Sequence, residues 1–321
     1  MRTKILMQTV ELPTLKESYL RFLQNKRIAN VSADTIRYYD GVYKMFSDFT
    51  GDNFPCDSIA KETVFEFIEH MKKQNPNIRD TSINSYLRGV RSFLYFCMEE
   101  GLTQSFKISL IKAEKQLKET YTHAELERLL KKPEIKKCEF SEYRNWVIIC
   151  YLLGTGNRAR TLCNVKIGDI DFDTHEIKLK AVKNSKQYII PLSKTLEKTL
   201  VEYLGYRQGT ADDYLFCNIY GQQLGQEALK TAIRRYNNAR GVSKTSIHLF
   251  RHTFAKNWIL NNGDIFRLQK ILGHSSIEIV KEYVNMFGND LQMNFAEFNP
   301  LDNMEIMKRN NGAIKMRGEG N

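Results

Sequence analysis

The spacing of apolar residues changes period twice along this chain, and that limits the folds open to it. From about residue 12 to residue 101 the apolar positions recur every three or four. "SADTIRYYDGVYKMFSDFTG" sets Ile36, Tyr39, Tyr43, Phe46 and Phe49 along one helical face. Ser32 or Asp34 can cap that helix and Gly51 ends it. "SINSYLRGVRSFLYFCMEEG" repeats the pattern through Ile83, Leu87, Val90, Leu94 and Cys97, and Gly101 closes it. Between Ile177 and Leu192 the period drops to two, in Ile177-Leu179 and Tyr188-Ile190-Leu192. The polar segments "DFDTHE" and "KNSK" mark turns there, so a small sheet with Lys183 at a hairpin tip is expected. Helical spacing resumes after Pro191 and is expected to continue to the end. The pattern predicts a mainly α fold with a small antiparallel β-sheet.

Residues 1–105 read as a helical N-terminal domain. Residues 106–119 are polar and basic, with Lys107, Lys112, Lys115 and Lys118, and fit an interdomain linker. "THAELERLL" then opens a helix with Thr122 and Glu125 as a capping box, so a second domain spans residues 120–290. In it, "EYRNWVIICYLLGTG" is nearly all apolar after Arg144 and reads as a core helix. Residues 291–321 form a C-terminal segment with a flexible tail. The six cysteines include no CxxC pair and several sit in apolar runs, which points to reduced core thiols rather than a disulfide framework or zinc site. No apolar run is long enough to span a membrane. The N-terminus lacks a signal core, so a cytoplasmic protein is expected.

Lysine and arginine total 48 against 37 acidic residues, a formal charge of +11. A surplus of that size suits a polyanion partner, most often nucleic acid. Arg88 and Arg91 lie off the apolar stripe of their helix, where they serve either as solvated surface or as phosphate contacts; Lys112 and Lys115 are further candidates for DNA contact.

The chemistry concentrates in the second domain. "SIHLFRHTF" puts His248, Arg251 and His252 at i, i+3 and i+4, on one helical face. Such groups repel one another unless an anion lies between them. Arg158 follows a core helix in "TGNRART", Lys183 sits on the hairpin, and His274 in "LGHSS" precedes Tyr283 by nine residues. Ser275 and Glu278 make a capping box, so the helix carrying Tyr283 is expected to begin directly after His274. Two guanidinium forks suit the non-bridging oxygens of one phosphodiester. A tyrosine phenolate is a plausible nucleophile in a cationic setting, a lysine can protonate a departing oxygen, and a histidine can move a proton. No carboxylate cluster has metal-like spacing, so neither metal nor cofactor is expected. Taken singly, each residue has a plainer reading: a helix-end cap for Arg158 and His274, a solvated hairpin lysine, an amphipathic tyrosine. His252 is assigned only packing.

Together these segments resemble the tyrosine recombinases, the phage-integrase family. "GTGNRARTL" resembles the first arginine box, with Arg158. "VKNSKQYIIPL" resembles the hairpin lysine box, with Lys183 eight residues before Pro191. "HLFRHTF" matches the H-x-x-R-H box, giving His248 and Arg251, and "LGHSSIEIVKEYV" matches the box ending in the nucleophile, giving His274 and Tyr283. The family often has Ser-Glu where Arg160 and Thr161 stand, and threonines where Ile279 and Val280 stand. The ending "FAEFNPLDN" is similar to integrases of mobile elements.

The resemblance implies a two-domain architecture whose helical N-terminal part clamps DNA. It implies attack by Tyr283 on a scissile phosphate to give a 3′-phosphotyrosyl link. Lys183 would protonate the leaving 5′ oxygen and His248 would assist proton movement. Arg158, Arg251 and His274 would hold the phosphate. The implied partners are double-stranded DNA with specific recombination sites, three further protomers in a homotetramer, and accessory bending or directionality proteins. Phe295, Phe298 and Leu301 are candidates for the contact between protomers. A type IB topoisomerase and a non-catalytic DNA-binding module remain as alternatives.

Overall fold

The computed structural model describes residues 13–114, 119–180, 187–273 and 276–287, excepting the side chains of Lys180, Gln187, Ile279, Met286 and Phe287. The chain divides into two compact units, Met1–Gln116 and Leu117–Asn321.

The first unit is helical: α1 (Leu15–Ile28), α2 (Ala33–Thr50), α3 (Lys61–Gln74) and α4 (Asp80–Glu99). Of the two residues able to cap α2, Ser32 does so, accepting from the Thr35 N–H, and Gly51 ends the helix at φ 90°. The apolar stripes meet in a core of Phe22, Phe46, Phe67, Leu87, Phe93 and Leu94. Edge-to-face ring pairs fill it, among them Phe46 on Phe67 at 5.1 Å between centroids. α2 and α4 approach so closely at Gly89 that a Cβ there would lie 2.7 Å from the Val42 methyl. Arg88 is exposed and Arg91 half-exposed on α4, while Lys112 is exposed beyond it.

The stretch expected to be a linker is laid down on this unit over its first part. Ile108 is buried in the helical core, with Phe106, Leu110 and Ile111 packed against it. Asn84, 5% exposed on α4, donates to the Ile111 carbonyl at 2.9 Å and accepts from the Ile111 N–H at 3.0 Å. One side-chain amide thereby satisfies both backbone groups of a chain that has no sheet or helix to do so. Lys115 lies outside the described residues.

The second unit begins with α5 (His123–Leu130), whose Thr122–Glu125 capping box is present, and α6 (Phe140–Thr155). α7 (Ala159–Asn164) leads to β1 (Ile170–Asp171), β2 (Glu176–Lys180) and β3 (Gln187–Pro191), followed by α8 (Lys194–Arg207), α9 (Gln226–Ala239), α10 (Ile247–Leu260), α11 (Ile265–Leu272) and α12 (Glu278–Phe287). Helix α6 is buried nearly all round and packs against α5, α8, α9 and α10. The strands pair antiparallel in the order β1-β2-β3, with Ile177 opposite Ile190 and Leu179 opposite Tyr188. Ile177, Leu179 and Ile190 turn inward, which is the alternation the sequence carried. The fold class is therefore as expected, mainly helical with a small antiparallel sheet.

Two local expectations change. Helical structure is interrupted from Gln208 to Gly225, where Asn218 closes a turn by accepting the N–H groups of Tyr220 and Gln222 at 2.9 and 3.0 Å. Helix α12 begins at Glu278 rather than directly after His274, and Ser276 Oγ receives the Glu278 N–H at 3.2 Å. Ser275 lies outside the described residues. All six cysteines are free thiols, four of them buried. No helix among the described residues is long and apolar enough to cross a membrane.

Replacing Asn84 with alanine strands the Ile111 N–H and C=O. The expected loss is about 1–3 kcal/mol of stability, read by urea denaturation, together with faster proteolysis near residue 111 in the folded protein.

Candidate active site

Four of the six candidate residues of the second unit lie among the described residues, and the structure gathers them. Arg158 stands at the N-cap of α7, on the turn that leaves α6. Gly156 makes that turn possible. It takes the left-handed conformation, φ 63°, and a Cβ there would lie 2.7 Å from Phe254 and 2.8 Å from Leu272. Asn157, 2% exposed, locks the next residue, donating to the Tyr151 hydroxyl at 2.9 Å and accepting from the Tyr188 hydroxyl at 3.3 Å. Arg158 is thereby presented outward with its side chain exposed.

Arg251, on the first turns of α10, is 5% exposed. It donates Nη1 to the Gly156 carbonyl at 2.9 Å and Nη2 to the Leu272 carbonyl at 2.8 Å. These carbonyls cap the C-terminal ends of α6 and α11, where acceptors lack intrahelical partners and the helix dipole is negative. Burial lowers the Arg251 pKa to about 10, and Arg158 pushes the same way, while Tyr283 and Tyr188 oppose them. A guanidinium at that value is still charged at neutral pH.

His248, one turn earlier on α10, keeps an edge open to solvent. The surrounding protein desolvates its ring and lowers its pKa, and Arg251, Arg158 and Lys230 add to the effect. Of the three side chains whose mutual repulsion the sequence raised, this one sheds its charge.

Tyr283 projects from α12 into a cluster with Ala255, Leu268, Leu272 and Val280, and is 2% exposed. Burial raises the pKa of its phenol. Arg251 opposes this most, through charge and a hydrogen bond, and Arg158 opposes it too; Glu282 reinforces burial. The charges of Arg158 and Arg251 thus reach His248, Tyr188 and Tyr283, so the four described candidates share one electrostatic neighbourhood. Lys183 and His274 lie outside the described residues, as do Phe295, Phe298 and Leu301.

Three side chains beside this neighbourhood escape sequence reasoning. His252, assigned only packing, places Nδ1 2.7 Å from the Tyr283 hydroxyl. Tyr188 packs about 3.6 Å from where a Gly273 Cβ would stand; burial raises its pKa, and Thr161 and both arginines lower it. Asn157 shapes the turn. Each lay within a stretch the sequence had singled out, but nothing there gave it a role in the site, because each acts through a partner distant in sequence. Two of the family departures now have places. Thr161 acts on the Tyr188 phenol, lowering its pKa against burial, and Val280 is wholly buried in one cluster with Tyr283. Among the described residues no group of three or more His, Cys, Asp and Glu could hold a metal ion.

Such a site can bind an oxyanion, since it offers two guanidinium groups, a neutral imidazole and a phenol in one place. Residues 119–289, more than half of the chain, match the phage integrase family. Among curated proteins, the tyrosine recombinase XerD of Staphylococcus haemolyticus is 27% identical over 298 residues, covering 89% of this chain and 99% of that protein. XerD of Staphylococcus aureus is 25% identical over the same span. Among solved structures, the XerH recombinase bound to palindromic difH substrate after cleavage aligns with a TM-score of 0.68 at 22% identity, over 87% of this chain and 82% of that one. The Tn1549 transposon integrase with transposon right-end DNA gives 0.67 at 19%, over 84% and 94%. These two share the two-domain fold.

The electrostatics fix a titration. His248 in the folded chain titrates below the unfolded value of about 6.5, because burial and three cations disfavour its charged form. The unfolded chain therefore binds the proton more readily, so this group costs stability as pH falls through the unfolded value toward the folded one. An NMR titration of the His248 ring is expected to show the depressed value, and saturating sulfate is expected to raise it by shielding the arginines.

Proposed function

The chain belongs to the phage integrase family, the tyrosine recombinases, and from that membership we propose that it is a site-specific DNA recombinase that breaks and rejoins strands through a 3′-phosphotyrosyl intermediate. The observation that carries this reading is the Tyr283 hydroxyl held beside Arg251, within the field of Arg158.

A scissile phosphate brings its negative charge against the two guanidinium groups. They neutralise the charge that grows on the non-bridging oxygens as phosphorus becomes five-coordinate. Tyr283 Oη forms a bond to phosphorus and loses its proton. The bond from phosphorus to the 5′ oxygen breaks, and Lys183 supplies the proton that this oxygen takes up. His248, neutral before substrate arrives, gains proton affinity once the phosphate is present and assists proton movement. His274 adds a further donor to the phosphate. The covalent link preserves the ester's energy, so a 5′ hydroxyl from a partner strand reverses the chemistry without a nucleotide cofactor.

The other finer readings follow from the same assignment. The helical first domain, residues 1–105, clamps the duplex, with Arg88, Arg91, Lys112 and Lys115 toward phosphates. Residues 106–119 link it to the catalytic domain, residues 120–290. The segment beyond residue 290 joins protomers into a tetramer on two duplexes. A role in integrating or excising a mobile element rests on the ending "FAEFNPLDN".

Tyr283→Phe is expected to bind DNA as the parent does and to form no covalent adduct on a nicked duplex, as read by denaturing electrophoresis. An adduct surviving in that variant would remove Tyr283 as the nucleophile. Affinity for DNA is expected to fall with salt, log K against log salt having a slope of about −0.9 per phosphate neutralised.

A further inference from the structure

We propose that His252 is a catalytic residue, the base that takes the phenolic proton of Tyr283 as this oxygen attacks phosphorus. The proposal rests on Tyr283 being the nucleophile and deepens that reading.

The proton that Tyr283 loses on attack has to go to an acceptor. Tyr283 is 2% exposed, so bulk water does not reach its hydroxyl freely. Burial outweighs the pull of both arginines and keeps the phenol protonated at rest. Arg251 faces the hydroxyl with donors only, two of which are committed to the Gly156 and Leu272 carbonyls. A guanidinium therefore stabilises a phenolate but accepts no proton. His252 Nδ1 lies 2.7 Å from the Tyr283 oxygen, a normal distance for a strong hydrogen bond. The rings are tilted at 48°, with centroids 5.6 Å apart, so the contact is made edge-on through nitrogen rather than by stacking.

The position follows from the helix. Arg251 and His252 are consecutive on α10, about 100° apart around its axis. Arg251 can turn to the ends of α6 and α11 while His252 turns to α12, which packs on the same helix. The two neighbours thus both reach one oxygen: Arg251 can only donate to it, and His252 accepts from it in the tautomer that leaves Nδ1 unprotonated. That is the arrangement an activated nucleophile needs: a partner for the developing anion and an acceptor for the departing proton.

The step balances. In the tautomer that leaves Nδ1 unprotonated, the phenolic proton passes from Tyr283 Oη to His252 Nδ1. The Oη electron pair forms the bond to phosphorus, and the bond to the 5′ oxygen breaks, that oxygen taking its proton from the separate acid. His252 is left as an imidazolium. On rejoining, the 5′ hydroxyl attacks, the bond from phosphorus to Oη breaks, and Tyr283 recovers its proton from His252. His248 remains the solvent-facing histidine, so the two histidines of the box divide the work.

The test is single-turnover cleavage. Nicked duplexes that the parent captures covalently are selected from a random-sequence pool; the nick lets the released 5′-hydroxyl strand diffuse away, so the adduct accumulates. His252→Asn retains an acceptor near the Nδ1 position and cannot be protonated there. Adduct formation is expected to slow on the order of 100-fold, with DNA affinity and melting temperature unchanged. Cleavage at the parental rate would overturn the assignment, because the hydrogen bond would then serve only to position the ring. If His252→Asn loses stability, His252→Ala decides: a rate that climbs with added imidazole supports the proposal, and one indifferent to imidazole defeats it. Tyr283→Phe run in parallel separates the two levels. An adduct with that variant removes the nucleophile assignment itself, whereas no adduct there with full activity in His252→Asn removes only the role of His252.

Discussion

The second unit depends on where one guanidinium spends its hydrogen bonds. Arg251 ties the C-terminal ends of α6 and α11 to α10 through the Gly156 and Leu272 carbonyls. Burying a cation is costly unless its donors are satisfied. Here the acceptors are the negative ends of two helices, which would otherwise need capping groups of their own. A lysine ammonium has no planar fork with which to span two carbonyls in fixed directions. The tie also sets the turn that carries Arg158, because Gly156 is both its acceptor and the left-handed residue from which the turn departs. Structure and electrostatics therefore share one side chain: the bonds that hold three elements together aim positive charge at the space beside Tyr283.

Tyr283 sits under opposed influences of comparable kind. Burial favours the neutral phenol, and the two arginines favour the phenolate. The first prevails at rest, which fits the proposed role of Tyr283 as a nucleophile that must not react before DNA arrives. The arriving phosphate also draws on the arginines' charge, so cation fields alone do not ionise the phenol. An acceptor in direct contact resolves this, and His252 is the side chain the structure puts there.

Much of this was legible in the sequence. The change from helical to alternating spacing marked the sheet, and the Thr122 box marked where a helix of the second unit begins. The four described motif residues, Arg158, His248, Arg251 and Tyr283, share one electrostatic neighbourhood. What escaped has a common cause. Asn84 with Ile111, Asn157 with Tyr188, and His252 with Tyr283 are isolated pairs of residues 27 to 31 apart in sequence. Such contacts impose no periodicity and use residues with ordinary alternatives, so only the folded backbone reveals them. The laying down of Phe106 to Ile111 on α4 was hidden for a related reason, because Lys107 and Ser109 between the apolar residues, with the lysines that follow, give the segment a polar average. His252 was harder still, since its neighbour Arg251 already accounted for the cationic character of that turn.

The central claim is that these side chains surround one phosphorus atom within reach of Tyr283. A crystal structure of the protein on a nicked duplex with orthovanadate, which adopts the five-coordinate geometry of the transition state, tests it directly. The account predicts vanadium bonded to Tyr283 Oη, with Arg158 and Arg251 on its equatorial oxygens. Vanadium bound to another side chain, or held away from both guanidinium groups, would contradict it.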